Sequence, residues 1–304
     1  MNERPAVWPP LLTFVVAVPA LVVGGQALLA VWAALTLSPG VAVSADAIAW
    51  RMQAIVRQPV GLAAAVLLTS VPLAAIALVG AALSREPLAD RLRTHVARVR
   101  WGLLPATVLG MVALSNVLDG LLTLLGLSDQ GTLKLMTDVI GGARGGELAL
   151  VLIVLALGAG LAEELFFRGF LQTRLSQRFP PAIAIAVASV CFGIMHMDPV
   201  HSPVAALLGL YLGWITERAG SIVPAIVAHV ANNAMAVLGA RWPLPESDGL
   251  RLGLLAISIV VGIAVVVLVE AAYRRAPAPA PSAPNRYTKN TPARASGVRC
   301  RRGA

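Results

Sequence analysis

Charged residues are scarce in this chain. Only 13% of its 304 residues are Asp, Glu, Lys or Arg, about half the fraction found in a typical soluble domain. Hydrophobic residues make up 58%, and the mean hydropathy is +0.79. The regular alternation of polar and apolar residues that membrane β-strands require is also missing. Together these shortages exclude an ordinary soluble domain and disfavour a membrane barrel.

Cysteine and lysine are also rare. Cys191 lies in an apolar run and Cys300 in a basic tail, so a disulfide framework is not expected. The chain has 2 lysines against 22 arginines, and its apolar runs are rich in alanine. This bias favours a bacterial protein with a GC-rich coding sequence.

The net charge of +9 is concentrated at one end of the chain. Residues 273–304 carry eight basic residues and no acid. The segment 274–304 is also rich in proline and alanine, so we predict a disordered cytoplasmic tail. Because the charge is confined to this tail, it does not indicate a nucleic-acid partner.

What the chain does contain is a series of long apolar runs. Runs of around 20 apolar residues are typical of membrane-spanning helices. Eight such segments are predicted, at 11–37, 59–83, 101–127, 148–168, 181–197, 203–217, 221–239 and 250–273. We therefore predict an all-α membrane protein, a bundle of about eight transmembrane helices with an intramembrane polar cavity.

The connections between these segments predict their orientation. Residues 84–100 hold five arginines against two acids, and 168–180 hold three arginines and no acid. By contrast, 128–147 hold three acids against two basic residues. The positive-inside rule then makes both termini cytoplasmic. The predicted location is the bacterial plasma (inner) membrane, as a multi-pass protein in contact with the lipid bilayer.

Strongly polar side chains inside apolar segments are costly and indicate function. The sequence AEELFFRGF (162–170) holds three of them. Glu164 and Arg168 are four residues apart and can form an ion pair on one helix face. Glu163 is turned about 100° from Glu164. We therefore predict a structural pair, Glu164 and Arg168, and a separate role for Glu163.

Two further pairs have the same helical spacing. Phe192 and His196 are four residues apart in FGIMH, as are His229 and Asn233 in HVANN. Taken in order, EELFFR, FGIMH and HVANN resemble the EExxxR, FxxxH and HxxxN motifs of the CPBP family. That family includes the intramembrane CAAX prenyl protease 2 and the bacterial Abi, bacteriocin-processing proteins. The resemblance covers about residues 160–235.

The resemblance implies a set of catalytic residues. Glu163 would be the general base that activates water, with His196 as its partner. His229 and Asn233 would stabilise the oxyanion formed from the peptide carbonyl. An imidazole and an amide are suitable hydrogen-bond donors for that purpose.

Proteins of this family are often described as metalloproteases. Glu163, His196 and His229 would supply three ligands and leave a fourth position open, as catalytic zinc requires. However, the HExxH pattern is absent, and a Glu163 bound to metal would leave no evident base. We therefore expect a mechanism that requires no cofactor, with zinc as the alternative.

The depth of the motif residues predicts how long the fourth helix is. If it ended at Arg168, Glu163 would lie only about 8 Å from the cytoplasmic side, whereas His196 would lie about 22 Å deep. Continuing the helix to about Gln177 brings these levels together. The fourth helix is therefore predicted to run past Arg168.

The domain interpretation follows from these segments. Residues 1–147 form N-terminal helices with their connections, 148–240 a catalytic core, 241–273 a last transmembrane helix, and 274–304 the tail. The predicted function is an intramembrane endopeptidase that cleaves membrane-associated proteins or peptides, including lipidated or bacteriocin-leader types.

Two other function classes were weighed. The first is a non-catalytic bacteriocin-immunity or scaffold protein with the same fold, against which the intact motif residues argue. The second is a transporter, which is weakened because the sequence shows no internal repeats and no broken helices.

Overall fold

The computed structural model describes residues 8–84, 86–245 and 247–274. This part of the chain is helical throughout, with no β-strand in any of the three ranges. The all-α prediction is therefore confirmed for them. The predicted basic tail lies outside the described residues, apart from its first residue, Arg274.

The described residues form eleven helices. Two short 3-10 turns, Val96–Arg98 and Trp101–Leu103, precede the fifth helix. The helices are α1 Trp8–Leu35, α2 Ala45–Val56, α3 Pro59–Ala82, α4 Leu88–Arg91, α5 Leu104–Leu124, α6 Gly131–Gly142, α7 Gly145–Ser176, α8 Pro181–Met195, α9 His201–Ala219, α10 Val223–Arg241 and α11 Asp248–Arg274.

All eight predicted segments are helical, but only six are long and apolar enough to cross a membrane. Helix α8 has 15 residues, about 22 Å of rise, which is less than the roughly 30 Å hydrocarbon thickness. Helix α9 carries two adjacent charged residues, Glu217 and Arg218, in its last turn and is not apolar enough to count among the spanning helices. The predicted count of eight spans is therefore not confirmed; among the described residues, six helices could span a membrane.

Helices α2 and α6 were not predicted as helices, because both lie in connections between the predicted membrane segments. Helix α2 begins after Ser44, whose side chain accepts a hydrogen bond from the Ala47 amide. A serine in this position is a common N-cap. Trp50 on α2 is exposed, as an interfacial anchor would be.

Helix α7 occupies the centre of the bundle. It contacts α3, α8 and α10, and its Phe166, Phe167 and Leu171 are fully buried. The outer helices α1 and α11 instead expose many valine and leucine side chains. In a bilayer these outer faces contact lipid, so polar side chains are sequestered near α7.

The predicted extension of the fourth helix is confirmed, since α7 continues to Ser176. Two parts of it, Leu152–Ala159 and Leu165–Gln172, have the wider π-helical turn. Such π turns frequently occur at functional sites. Between them lies one α-helical turn, Gly160–Glu164, which carries the two glutamates.

Candidate active site

The Glu164–Arg168 pair lies in the centre of the bundle. Arg168 Nη1 is 2.5 Å from Glu164 Oε1, and both side chains are almost fully buried. The guanidinium also donates from Nη2 to the Gly209 carbonyl, at 3.2 Å. A buried charge needs such partners, because an unpaired one would be strongly destabilising.

His229 of α10 contacts both glutamates. Its Nδ1 is 2.8 Å from Glu164 Oε1, and its Nε2 is 3.6 Å from Glu163 Oε2. Because an ionised carboxylate can only accept, Nδ1 must carry the proton in its hydrogen bond with Glu164. Although their helical positions differ by about 100°, the two glutamates therefore meet at one imidazole.

The surroundings of the two glutamates differ sharply. The Glu164 side chain is fully buried, while 14% of the Glu163 side chain is exposed. The contact from Glu163 to His229 is too long for a hydrogen bond. Glu163 is thus the more accessible carboxylate of the two.

Phe192 of α8 is the apolar centre of the site. The Arg168 guanidinium lies over its ring at 4.6 Å, a cation–π arrangement. The rings of His196 and His229 lie edge-on to it, with centroids 5.0 and 5.8 Å away. Phe192 of the second motif therefore contacts Arg168 of the first motif and His229 of the third.

His196 lies at the end of α8 and has a different neighbourhood from the one predicted. Its Nδ1 is 2.9 Å from the Phe192 carbonyl oxygen, so Nδ1 is the donor and Nε2 is left for other partners. Its ring is 4.3 Å from that of His201. His229, rather than His196, is the imidazole beside Glu163. The sequence analysis left His201 out of the site.

Asn233 lies one turn after His229 on α10. Its Nδ2 donates to the Leu155 carbonyl oxygen at 3.2 Å. Leu155 belongs to the first π-helical stretch of α7, where backbone carbonyls are placed differently from those of an α-helix. Nδ2 has a second hydrogen that this bond does not use.

A metal site was considered for Glu163, His196 and His229. Among the described residues, no group of three or more His, Cys, Asp or Glu side chains is arranged to hold a metal ion. Both ring nitrogens of His229 face carboxylates, and His196 contacts Phe192 and His201. The mechanism without a cofactor stays a prediction, with zinc bound by Glu163, His196 and His229 as its alternative.

Asp198, in the turn between α8 and α9, is a neighbour of the site that sequence reasoning missed. Burial alone would raise the pKa of this carboxyl. Hydrogen bonds from His201, Thr132 and Val200 outweigh that effect and lower the pKa to about 2. Asp198 thereby joins the start of α6 to the start of α9. The signal in the sequence is an acidic residue three positions before a helix.

The comparisons with known proteins agree with the three motifs. Residues 145–235 match the family model described as Rce1-like, type II CAAX prenyl endopeptidase. A search of curated proteins and a search of solved structures returned no match. The matched segment runs from the start of α7 to Met235 in α10 and contains every site residue described above. The resemblance inferred from the motifs is thus confirmed: residues 145–235 are similar to the Rce1-like type II CAAX prenyl endopeptidases of the CPBP family.

Proposed function

We propose that this protein is an intramembrane endopeptidase that uses a glutamate-activated water. The observation that carries the proposal is the meeting of Glu163, Glu164 and His229 in a segment similar to a family of endopeptidases. The six apolar helices support a multi-pass membrane location. A membrane-associated peptide is therefore the substrate class that fits.

Glu163 is the proposed general base. Glu164 is engaged by a guanidinium and an imidazole on the same oxygen, and its side chain is fully buried. Glu163 has no such donor among the described residues and is partly exposed. Its carboxylate takes a proton from water as the water oxygen bonds to the peptide carbonyl carbon. It then returns that proton to the amide nitrogen as the C–N bond breaks.

His229 and Asn233 are the proposed oxyanion donors. Glu164 holds the Nδ1–H of His229, so Nε2 is the nitrogen directed towards Glu163 and the substrate. His229 can donate from Nε2 to the oxyanion when both of its ring nitrogens carry hydrogen, with the Nδ1–H held by Glu164. Asn233 contributes the hydrogen on Nδ2 that Leu155 does not occupy. The Glu164–Arg168 pair is structural in this scheme.

His196 stays a proposed site residue, although the position beside Glu163 belongs to His229. With Nδ1 bound to the Phe192 carbonyl, a neutral ring offers Nε2 as an acceptor. We assign it the role of accepting a hydrogen bond from substrate or water.

The proposed location is the bacterial inner membrane, with both termini in the cytoplasm. Helices α8 and α9 are joined by a short turn and pack against each other. Such a hairpin returns the chain to the side from which it came, whether or not it crosses the bilayer fully. Six or eight crossings therefore give the same sidedness for the termini.

The test uses purified protein in liposomes with a quenched-fluorescent peptide. One form of the peptide ends in a farnesylated Cys-aliphatic-aliphatic-X sequence, and the other lacks the farnesyl group. We expect cleavage that is lost in Glu163→Gln and kept in Glu147→Gln, a matched change at an exposed carboxylate on the same helix. Cleavage of only the farnesylated peptide would define a prenyl-dependent substrate class.

Two outcomes would contradict the proposal. If Glu163→Gln cleaves as fast as the unsubstituted protein, Glu163 is not the base. If neither peptide nor a bacteriocin leader peptide is cleaved, the non-catalytic immunity or scaffold function gains support. A chelator arm addresses the cofactor: activity that is lost with chelator and restored by zinc would favour the metal alternative.

A further inference from the structure

A line of polar side chains extends from the site along one face of α7. Arg168, Gln172 and Ser176 are spaced four residues apart. Each donates to a residue of α9 that lies 41 positions further along the chain. The acceptors are the Gly209 and Gly213 carbonyls and the Glu217 carboxylate. Since the offset is constant, α7 and α9 run in parallel here with a fixed register.

Two glycines of α9 make this close approach possible. A Cβ at Gly209 would lie 3.2 Å from Arg168 Nη2, and a Cβ at Gly213 would lie 2.7 Å from Gln172 Oε1. Any larger residue would push the α7 side chains away from the α9 carbonyls. The small residues that allow α9 to pack closely against α7 are thus also the ones whose carbonyls accept from Arg168 and Gln172.

Gln172 is the least expected member of this line. It is fully buried and donates to the Gly213 carbonyl at 3.0 Å, but among the described atoms its Oε1 has no hydrogen-bond partner. A methionine would fill similar space without burying an unpaired oxygen. Packing alone therefore does not explain a glutamine at this position.

The position of Arg168 depends on this register. Its guanidinium must reach both Glu164 and the Gly209 carbonyl. Because the next donor along α7 is Gln172, the bond to Gly213 holds Arg168 opposite Gly209. Arg168 in turn shares Glu164 Oε1 with His229 Nδ1, so a displaced Arg168 would alter the hydrogen bonding of that imidazole.

We propose that Gln172 is a positioning residue of the site. The hydrogen bond from its amide to the Gly213 carbonyl sets the register of α7 against α9. This register keeps Arg168 on Glu164 and keeps the Nδ1–H of His229 on the same carboxylate, so that Nε2 is directed towards Glu163. Gln172 touches no reacting atom and acts through Arg168. The inference rests on the proposed peptidase function for its kinetic consequence but not for its structural one.

The first measurement is independent of activity. Protein labelled with 15N-histidine is reconstituted in bilayers and studied by solid-state NMR, with His229 assigned from a His229→Gln sample. The unsubstituted protein should show His229 with a hydrogen on Nδ1. In Gln172→Met, the Nδ1 and Nε2 signals of His229 should shift or split into more than one set. The matched control is Leu171→Met, a buried neighbour on the same helix.

The second measurement is kinetic and uses the farnesylated peptide. Gln172→Met should lower kcat about tenfold, since a displacement approaching 1 Å can cost up to about a hundredfold. KM should stay within about twofold, because no substrate contact is removed. Leu171→Met should keep both values. Gly213→Ala, which leaves Gln172 in place but crowds its amide, should reproduce the loss.

The outcomes separate this inference from the proposed function. Unchanged His229 signals together with unchanged kcat in Gln172→Met would overturn the positioning role. If Gln172→Met does not fold, the same two readouts in Gly213→Ala decide. A His229 without a hydrogen on Nδ1 in the unsubstituted protein would also overturn it. An inactive protein whose His229 signals still respond to Gln172→Met would contradict the peptidase function alone.

Discussion

Glu163 and Glu164 are adjacent in sequence, yet they lie in two different environments. Glu164 faces the interior of the bundle, where Arg168 and His229 share one of its oxygens. Glu163 faces the partly open side, with a single long contact to His229. The same side-chain type thus serves as a fixed anion on one face of α7 and as an accessible carboxylate on the next.

The difference shows how a membrane protein can keep a carboxylate available for chemistry. An isolated charge at this depth is costly, and the Glu164 environment offsets that cost with a guanidinium and an imidazole. The same imidazole then presents its second nitrogen to Glu163. The Glu164 environment therefore orients the imidazole that contacts Glu163. The two environments can still be altered by separate substitutions.

The largest effect is expected from a change on the Glu163 side. Glu163→Gln keeps the shape of the side chain but removes the base, so kcat should fall by about 10² to 10⁴. Thermal unfolding should change little, because the polar contact that is altered, from Glu163 Oε2 to His229 Nε2, is 3.6 Å long and is not a hydrogen bond. A parallel fall in activity and thermal stability would mean that the two environments are not separate.

On the Glu164 side, the effect should be on stability. Arg168→Met leaves Glu164 buried without its guanidinium, which should cost about 3–5 kcal/mol of the free energy of unfolding. Denaturant unfolding in detergent micelles measures this. Adding Glu164→Gln to Arg168→Met should recover part of the loss, because no uncompensated buried charge remains.

A matched control exists for that change. Lys134 and Asp138 form another pair four residues apart, but both side chains are about half exposed. Lys134→Met should therefore cost no more than about 0.5 kcal/mol. An equal loss of unfolding free energy in Lys134→Met and Arg168→Met would show that burial does not determine the cost of breaking these pairs.

The sequence predicted the parts of this arrangement that lie within a single helix. The four-residue spacing placed Arg168 next to Glu164, and the depth argument extended α7 past Arg168. The apolar runs located eight of the eleven described helices but did not show that α8 is too short to span a full hydrocarbon layer. These features depend only on helical geometry and local composition.

The sequence could not predict contacts made between helices. That His229 meets both glutamates depends on where α10 crosses α7, and that His196 packs on His201 depends on the turn after α8. The Gly213 acceptor for Gln172 depends on the α7–α9 register. Spacing within one helix carries no information about these crossings. The resemblance implied His196 as the partner of Glu163, whereas the imidazole in contact with Glu163 is that of His229.

A smaller effect is expected when the Glu164 environment is crowded without removing a charge. A Cβ at Gly209 would lie 3.1–3.2 Å from Phe192, Ser189 and Arg168 atoms. Gly209→Ala should therefore cost about 1–3 kcal/mol through overpacking, as measured by denaturant unfolding. Gly239→Ala is the control, because its Cβ would meet nothing within 4 Å. The control should be neutral or slightly stabilising.

The smallest effect is expected at Asp198, a third carboxylate that is held by fixed donors. Its pKa is lowered from 3.8 to about 2, so it is ionised in the folded protein at neutral pH. A lowered pKa in the folded state adds stability above about pH 4, and this stability is lost as the pH falls through about 2. Asp198→Asn should remove this part of the acid dependence.

At neutral pH, Asp198→Asn should cost roughly 0.5–2 kcal/mol, the usual range for a helix cap. The amide keeps one acceptor oxygen, so it can serve either Thr132 or the Val200 and His201 amides, which use different oxygens of Asp198. Unfolding curves from pH 7 to pH 2 measure both quantities. A variant that loses stability in acid as steeply as the unsubstituted protein would show that Asp198 is not a fixed anion. Only Glu164 would then remain for the comparison with Glu163.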